Sequence, residues 1–565
     1  MESLRCQIER FALACNPHYT HEQRQATPQR LTFDNFADIL EYLKDDRSSL
    51  HSCLLVSRDW FKMVVPLLWY RPFAYKLEKE KAALIIRTYV SCLEEQGRLR
   101  LMADGIKFHD LPKPFIDYPR YLRSFDFEHF RQAIDDSVST LEISNPACDI
   151  ITTLCREVLG YSLCNRSFGL RILKIDLLKV ELYGPFLDIA TIPGIENVLS
   201  HLQRFELLYL FETEDETSKR LTKLFTLMSS CSRNIHSISV IIHRMRTHLP
   251  TYFIESLAQL VQSQNKLRAL SLNQFWNASS SAIIFAAMLK QAESLIYLRF
   301  TPKNEYNDLI NVLKCCTNLE TLELLDLSPT KDNDMSYLNI PMNILNIKKL
   351  YCYDDWVNSE DIVMTKALIL NMCTENLRVL TLESAIPALM ELIGEYCSKI
   401  TTLSISISPN YLQNLLELIS RLPLIHLTIG RTSRNNTDKF NFTLEILQQF
   451  IISIPSTLIS FGINFLIETE NLAYLLREFP VQLKVISLYE TKMSCDDVLY
   501  VILEYAIARR SLKELRYEMR KSRCMTFFSE SMLSLARRII PIIKQVNHFG
   551  DPIYAEDYFE THYDY

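Results

Sequence analysis

The stretch LRALSL, residues 267–272, is followed by NQFW and then by NASSSAIIFAAMLKQAESL, residues 277–295. Successive side chains of a strand point to opposite faces, so Leu270 and Leu272 enter a core while Ser271 between them faces out. The second part switches to helical spacing, and its apolar stripe consists of Ile283, Ala286, Ala287 and Leu289. The stretch therefore predicts one short strand followed by one helix.

The same arrangement occurs thirteen times. In each copy, an apolar residue is followed by two variable residues, a second apolar residue, one variable residue and a third apolar residue. The copies are LRILKI from Leu170, LQRFEL from Leu202, IHSISV from Ile235, LRALSL from Leu267, LIYLRF from Leu295, LETLEL from Leu319, IKKLYC from Ile347, LRVLTL from Leu377, ITTLSI from Ile400, LIHLTI from Leu424, LISFGI from Leu458, LKVISL from Leu483 and LKELRY from Leu512. The twelve intervals average 28.5 residues. One strand and one helix cannot bury an apolar face alone, so the spacing predicts a stacked array.

This pattern resembles the leucine-rich-repeat family over about residues 165–545. The resemblance implies an α/β solenoid with parallel strands on the concave face and helices on the convex face, preceded by a small all-α domain. The chain departs from the family because most copies lack the asparagine or cysteine expected shortly after the strand, and Asn273 is a rare candidate.

Near the N-terminus, residues 31–72 read LTFDNFADILEYLKDDRSSLHSCLLVSRDWFKMVVPLLWYRP. An amphipathic helix is predicted where apolar residues recur at i, i+3, i+4 and i+7, namely Phe36, Ile39, Leu40 and Leu43. Two further apolar stripes begin at Leu50 and at Trp60. Three short helices form a marginal domain by themselves, so we expect part of their apolar surface to be covered by a partner or by the repeat array.

The second and third stripes resemble the F-box, whose pattern L-x-x-C-x-L-V-x-R-x-W with a later L-W matches Leu50, Cys53, Leu55, Val56, Arg58, Trp60, Leu68 and Trp69. The opening leucine-proline of the family is absent, since Thr32 follows Leu31. The resemblance implies a non-enzymatic substrate receptor of an SCF-type ubiquitin ligase, in which the F-box binds a Skp-type adaptor and, through it, a cullin. The implied adaptor-binding residues are Phe36, Ile39, Leu40, Leu50, Leu54, Leu55, Val56, Trp60, Leu68 and Trp69. The alternative is a repeat scaffold whose N-terminal helices only cap the solenoid.

The repeats would bind a target protein through the residues that face out between the two core residues of each strand. From this surface we select eight candidate substrate-binding residues, which are Lys174, Glu206, Arg299, Glu323, Tyr351, Tyr353, Thr381 and Arg516. Tyr351 and Tyr353 attract attention because aromatic residues are favoured as interface anchors. For any one position, the alternative is a solvated strand residue without a partner.

Composition argues against several classes of protein. The 61 basic and 67 acidic residues of 565 leave a net charge of -6, too balanced for a chain that coats nucleic acid or a membrane. There are only 10 glycines and no glycine-rich phosphate loop, which argues against a nucleotide-dependent enzyme. No metal site, catalytic set or cofactor is expected; His18 with His21 and Asp332 with Asp334 are isolated pairs. Scattered cysteines and the lack of a secretory signal indicate a cytoplasmic or nuclear protein, or both.

The predicted organisation has five parts. An extension (1–26) precedes the F-box-like domain (27–75), a helical linker with an N-terminal cap or degenerate first repeats (76–164), about thirteen repeats (165–545) and an acidic aromatic tail (546–565). Residues 501–545 hold 10 basic and 4 acidic residues, whereas 549–565 hold 5 acidic and no basic ones with six aromatics. The tail is either solvated or docked on the last repeats or across the inner face.

Overall fold

The computed structural model describes residues 36, 39, 40, 42, 43, 46–74, 77–103, 113–138, 148–160, 169–177, 188–211, 216–244, 249–273, 278–301, 306–325, 346–353, 376–431, 443–464, 467–488, 495–518 and 528–546. The chain divides into two units, Met1–Pro72 and Phe73–Tyr565. The predicted N-terminal extension lies outside the described residues, and so does the acidic tail apart from Val546.

The first unit is helical around a small apolar core. Its helices are α1 (Arg47–Cys53) and α2 (Arg58–Leu68), and residues 36, 39, 40 and 42 are also helical. Each labelled helix begins at a side-chain cap, because Asp46 accepts a hydrogen bond from the backbone N–H of Ser49 at 3.0 Å and Ser57 accepts one from that of Trp60 at 3.3 Å. The buried core consists of Leu40, Leu50, Cys53, Trp60 and Val64.

The second unit contains one sheet of fifteen strands that are all parallel and follow one another in chain order. The strands are β1 (Ser124–Asp126), β2 (Ile172–Leu177), β3 (Arg204–Phe211), β4 (Ser237–Arg244), β5 (Ala269–Asn273), β6 (Tyr297–Phe300), β7 (Thr321–Leu324), β8 (Lys349–Cys352), β9 (Val379–Ala385), β10 (Thr402–Ile407), β11 (His426–Arg431), β12 (Ser460–Asn464), β13 (Val485–Leu488), β14 (Glu514–Glu518) and β15 (Ile542–Val546).

Helices accompany the strands along the described parts of this unit. They are α3 (Lys79–Cys92), α4 (Glu95–Ala103), α5 (Phe127–Val138), α6 (Cys148–Leu159), α7 (Ile195–Leu199), α8 (Glu216–Cys231), α9 (Thr251–Gln262), α10 (Ala278–Gln291), α11 (Tyr306–Cys315), α12 (Pro387–Tyr396), α13 (Leu412–Arg421), α14 (Leu444–Ser453), α15 (Thr469–Glu478), α16 (Cys495–Arg509) and α17 (Glu530–Ile539). Neighbouring helices pack on one another, as α8 does on α9 and α9 on α10. This is the predicted α/β solenoid architecture, and the fold prediction is confirmed.

Each of the thirteen sequence copies contains one strand, from β2 to β14, that begins at the third residue of the copy. The middle apolar residues pair across the sheet, so that Leu173 is in register with Phe205, Phe205 with Ile238 and Ile238 with Leu270. All four are buried. A continuous apolar row therefore runs through the array, as the spacing predicts.

The sheet extends one strand beyond the thirteen copies at each end. The stretch LRSFDF around β1 carries the same arrangement through Leu122, Phe125 and Phe127, which are all buried. The stretch around β15 keeps Ile540 and Ile543, but Gln545 takes the place of the last apolar residue. The interval of 48 residues between Leu122 and Leu170 exceeds the usual repeat length, so the first copy is not evident from the spacing.

Polar side chains join consecutive repeats where the family's asparagine is absent. A hydroxyl directly before a copy donates to the first carbonyl of the preceding copy; Ser294 reaches Leu267 O at 2.7 Å and Thr457 reaches Leu424 O at 2.7 Å. The asparagine directly after the copy LRALSL, Asn273, accepts a hydrogen bond from the N–H of Ile242. Backbone groups between strands are thus satisfied by several residue types.

The N-terminal end of the sheet is covered by aromatic side chains of the same unit. Phe125 on β1 lies 5.1 Å from Phe130 on α5 and 6.3 Å from Phe73, between ring centroids. Phe73 in turn contacts Tyr89 on α3 at 5.6 Å. These four side chains are buried, so Phe125 of the first strand is covered by aromatic side chains.

Candidate functional site

One row of residues crosses the face of the sheet on which the outward positions lie. Its members are in register from strand to strand and form what we term the central row: Asp126, Lys174, Glu206, Ser239, Ser271, Arg299, Glu323, Tyr351, Thr381, Ser404, Thr428, Gly462, Ser487, Arg516 and Lys544. Seven of the eight candidate substrate-binding residues belong to it. The eighth, Tyr353, lies two residues after Tyr351 and is half-buried.

Several of these positions are less accessible than expected for solvated strand residues. Glu206, Tyr351 and Thr381 are buried, and Glu323 is only 1% exposed. Lys174 and Arg299 are half-buried. Adjacent strands of a sheet lie about 4.8 Å apart, so side chains in one row cover each other. The alternative of a solvated strand residue therefore does not describe these four buried positions, while the role of the row in binding stays a prediction.

The first strands carry a group of charged residues. The Lys174 ammonium lies 3.7 Å from the Asp126 carboxylate, and Arg204 forms an ion pair with Glu206 along the same strand. Asp126 also accepts a hydrogen bond from the N–H of His129 at 3.0 Å. Burial raises the pKa of Asp126, against the opposing effects of that hydrogen bond, His129 and Lys174.

A second group lies on β6, β7 and β8. Arg299 Nε is 3.5 Å from Glu323 Oε2. Burial, followed by the nearby Glu323, raises the pKa of both Tyr297 and Tyr351 above the usual value for a phenol. The two side chains therefore remain neutral hydroxyls next to an ion pair, a combination of rigid aromatic area and hydrogen-bonding groups that suits protein recognition.

A third group ends the row. Arg516 Nε lies 2.9 Å and Lys544 Nζ 3.4 Å from Glu514 Oε1. Partial burial favours a higher pKa for Glu514, but the hydrogen bond and charge of Arg516 together with Lys544 outweigh it and lower the pKa. Burial, followed by the charge of Arg516, lowers the pKa of His426. This group presents two cations around one carboxylate.

Small uncharged residues separate the charged groups. Ser239 and Ser271 lie between the first and second, and Thr381, Ser404, Thr428, Gly462 and Ser487 lie between the second and third. Tyr297 and His426 were not identified from the sequence as part of this face. The two-residue period of a strand gives the signal, because Tyr297 lies two residues before Arg299.

In the first unit, the implied adaptor-binding residues differ in how much of each side chain is exposed. Leu40, Leu50 and Trp60 are core residues enclosed by neighbouring side chains, and their contact with an adaptor stays a prediction. Phe36 packs edge-on against Trp60, with 5.1 Å between ring centroids. Ile39, Leu54, Leu68 and Trp69 are half-buried.

Two of the implied adaptor-binding residues are well exposed. Leu55 is 79% exposed and Val56 is 50% exposed. Both lie in the segment between α1 and α2. Tyr42, which the sequence interpretation did not select, is also exposed. Leu40 belongs to the core and Leu43 packs against it, so the exposed Tyr42 lies outside this core.

Within the described ranges, no three His, Cys, Asp or Glu side chains come together as a metal site. His18, His21, Asp332 and Asp334 lie outside these ranges. Among the described helices, none combines the length and apolar character needed to cross a bilayer.

No protein-family model matches the chain, and neither does any curated protein. Among solved structures, the chain is similar to one from the crystal structure of the Rad7 and Elc1 complex in yeast. The identity is 14%, the TM-score is 0.37, and the match covers 72% of this chain and 94% of the other. This likeness is too distant to bear on function.

Proposed function

We propose that this protein is the substrate-recognition subunit of a cullin-based ubiquitin ligase of the SCF type. The first unit binds a Skp-type adaptor, and the face of the sheet along the central row binds the target protein. The chain performs no chemistry itself. It raises the effective concentration of the target near a ligase-bound ubiquitin carrier. Such a receptor would work in the cytoplasm, the nucleus or both.

The observation that carries this proposal is the pair of adjacent apolar side chains at Leu55 and Val56. They project from a unit whose own core is already filled by Leu50, Trp60 and Val64. Adjoining exposed apolar side chains offer a surface that another molecule can cover. Both positions belong to the F-box-like pattern.

The alternative is that the N-terminal helices serve only to cap the solenoid. The aromatic cover of β1 argues against it, because Phe73, Tyr89 and Phe130 all belong to the second unit. A chain without residues 1–72 is then expected to keep the protected core of β1. Loss of hydrogen-exchange protection at residues 122–130 on this deletion would favour the alternative.

Co-expression with a Skp-type adaptor, followed by co-purification, tests the proposal. Changing Leu55→Glu together with Val56→Glu places charges in the expected contact and should abolish the complex. The matched control is Ile507→Glu, an equally apolar and 59% exposed position on α16. Circular dichroism shows whether each variant is folded. Trp60→Ala is unsuitable, because that side chain holds the core of the unit together.

Two outcomes are informative. A complex that survives Ile507→Glu and is lost with the charged pair supports the ligase-receptor reading. The proposal is contradicted if the folded full-length chain does not bind the adaptor, or if the variant with both glutamates binds it as well as the unaltered chain does. The repeat scaffold is then the better interpretation. Binding of the target face is tested separately, once a target is known, with Tyr351→Ala and Arg299→Ala.

A further inference from the structure

The two ends of the sheet differ in how their apolar residues are covered. At β1, Phe125 is buried beneath Phe73 and Phe130. At β15, Ile543 occupies the register position of the buried residues Leu515 and Ile486, yet it is only half-buried. A solenoid needs a cover at both ends, because the last repeat otherwise exposes the surface on which a further repeat would stack.

The last helix shows the same incompleteness. On α17, only Leu533 and Ala536 are buried, whereas α16 buries seven of its fifteen residues. A second stripe of α17, at i, i+3 and i+7, stays partly accessible. It consists of Met532 and Ile539, which are half-buried, and Leu535, which is 43% exposed. We term Met532, Leu535, Ile539 and Ile543 the terminal apolar face.

Within the described residues, β15 also has a hydrogen-bonded neighbour on one side only, β14. Such an edge leaves backbone N–H and C=O groups unpaired, and proteins usually protect it. Beside the terminal apolar face lie two exposed cations of α17, Arg538 and Arg537, the second of which also pairs with Glu530 at 2.8 Å. The surface thus combines apolar area, an open strand edge and positive charge.

The chain itself supplies a segment of complementary chemistry directly after β15. Residues 549–565 read FGDPIYAEDYFETHYDY, with five acidic residues, no basic one and six aromatics. An extended chain covers about 3.3 Å per residue, so the 19 residues from 547 to 565 span roughly 60 Å. The helix α17, with ten residues, is about 15 Å long. The segment therefore reaches every part of the surface.

We propose that residues 547–565 bind the terminal apolar face and close the C-terminal end of the solenoid. Aromatic side chains of the segment cover Leu535 and Ile543, and its carboxylates lie near Arg537 and Arg538. The inner face along the central row then stays free for a target. This inference does not depend on the proposed ligase role, since it concerns only the repeat array.

Limited proteolysis of the full-length chain tests the inference. Chymotrypsin cleaves after aromatic residues, six of which lie in 549–565. We expect cleavage there to be at least about ten-fold slower than in a free synthetic peptide of residues 547–565, because bound segments resist proteases. Leu535→Asp should restore the rate of the free peptide, whereas the matched exposed position Ile507→Asp should leave protection unchanged.

A charge exchange gives a second, independent readout. Arg537→Glu with Arg538→Glu should accelerate cleavage, and adding Glu556→Lys with Asp557→Lys to the same chain should restore the slow rate. Circular dichroism and thermal unfolding identify any variant that is not folded. Cleavage of the unaltered chain at the rate of the free peptide overturns the inference. Protection that persists in both Leu535→Asp and the arginine variant also overturns it, because the segment is then held elsewhere.

Discussion

Replacing Gln264 by leucine should weaken the joint between two repeats. The buried Gln264 side chain accepts a hydrogen bond from Ile235 N at 3.0 Å, and it donates to Ser232 O and Leu260 O, each at 2.9 Å. Leucine keeps the volume but leaves the Ile235 N–H and Ser232 carbonyl without this partner. A buried backbone group that loses its hydrogen bond costs roughly 1–3 kcal/mol, so the two together should cost about 2–6 kcal/mol.

Hydrogen exchange measured by mass spectrometry reports this change locally, without requiring the whole array to unfold in one step. Since 1.4 kcal/mol corresponds to a factor of ten, amide exchange around Ile235 should become at least about 30-fold faster. The control is Gln259→Leu, an exposed glutamine on the neighbouring helix α9, which should change stability by less than about 0.5 kcal/mol. Equal exchange rates in the two variants would refute the reasoning.

Three further predictions concern other parts of the second unit. A Cβ at Gly462 would lie 2.7 Å from Thr428 Oγ1, so Gly462→Ala should lower the free energy of unfolding, measured by urea titration, by about 1–3 kcal/mol. Adding Thr428→Ala to this variant should recover most of the loss, and no recovery contradicts the prediction. Burial raises the pKa of Asp126, so keeping this carboxyl ionised at pH 7 costs the folded chain free energy. Asp126→Asn should therefore raise the free energy of unfolding at pH 7, and the gain should shrink as the pH falls and the carboxyl of the unaltered chain takes up a proton. Equal destabilisation at pH 4 and pH 7 refutes this. Iodoacetamide at pH 8 should alkylate the exposed Cys315 at least ten-fold faster than Cys316, because burial and the proximity of Cys315 raise the pKa of Cys316 to about 12. The two rates should become equal when the chain is unfolded, and equal rates in the folded chain contradict the prediction.

The strands could be predicted from sequence because each one repeats the same constraint. A buried residue such as Leu270 must recur at the same place in every unit, and thirteen recurrences are visible without a structure. The last strand does not match the pattern, because Gln545 stands where the other copies have an apolar or aromatic residue or a cysteine. Gln264 was not foreseen either, because a buried amide that binds the backbone of a different repeat has no local sequence signature.

The candidate face was predictable in position but not in accessibility. The two-residue period of a strand assigns Glu323 and Tyr351 to one face, and the register places them side by side. Whether a residue on that face reaches solvent depends on its neighbours in the next strand. Glu323 is enclosed because Arg299 precedes it and Tyr351 follows it, whereas Lys544 at the last strand has a neighbour on one side only. Sequence spacing alone contains no such information.

A match to a short helical motif cannot by itself separate the residues that build its core from those that bind a partner, because both are apolar. Trp60 and Leu55 both belong to the F-box-like pattern, yet Trp60 is 9% exposed and Leu55 is 79% exposed. A domain this small must commit most of its apolar positions to its own core. Only a few, Leu55 and Val56 among them, then remain exposed, so we expect a change at these two residues to affect the proposed binding without affecting folding, whereas a change at the tryptophan should affect both.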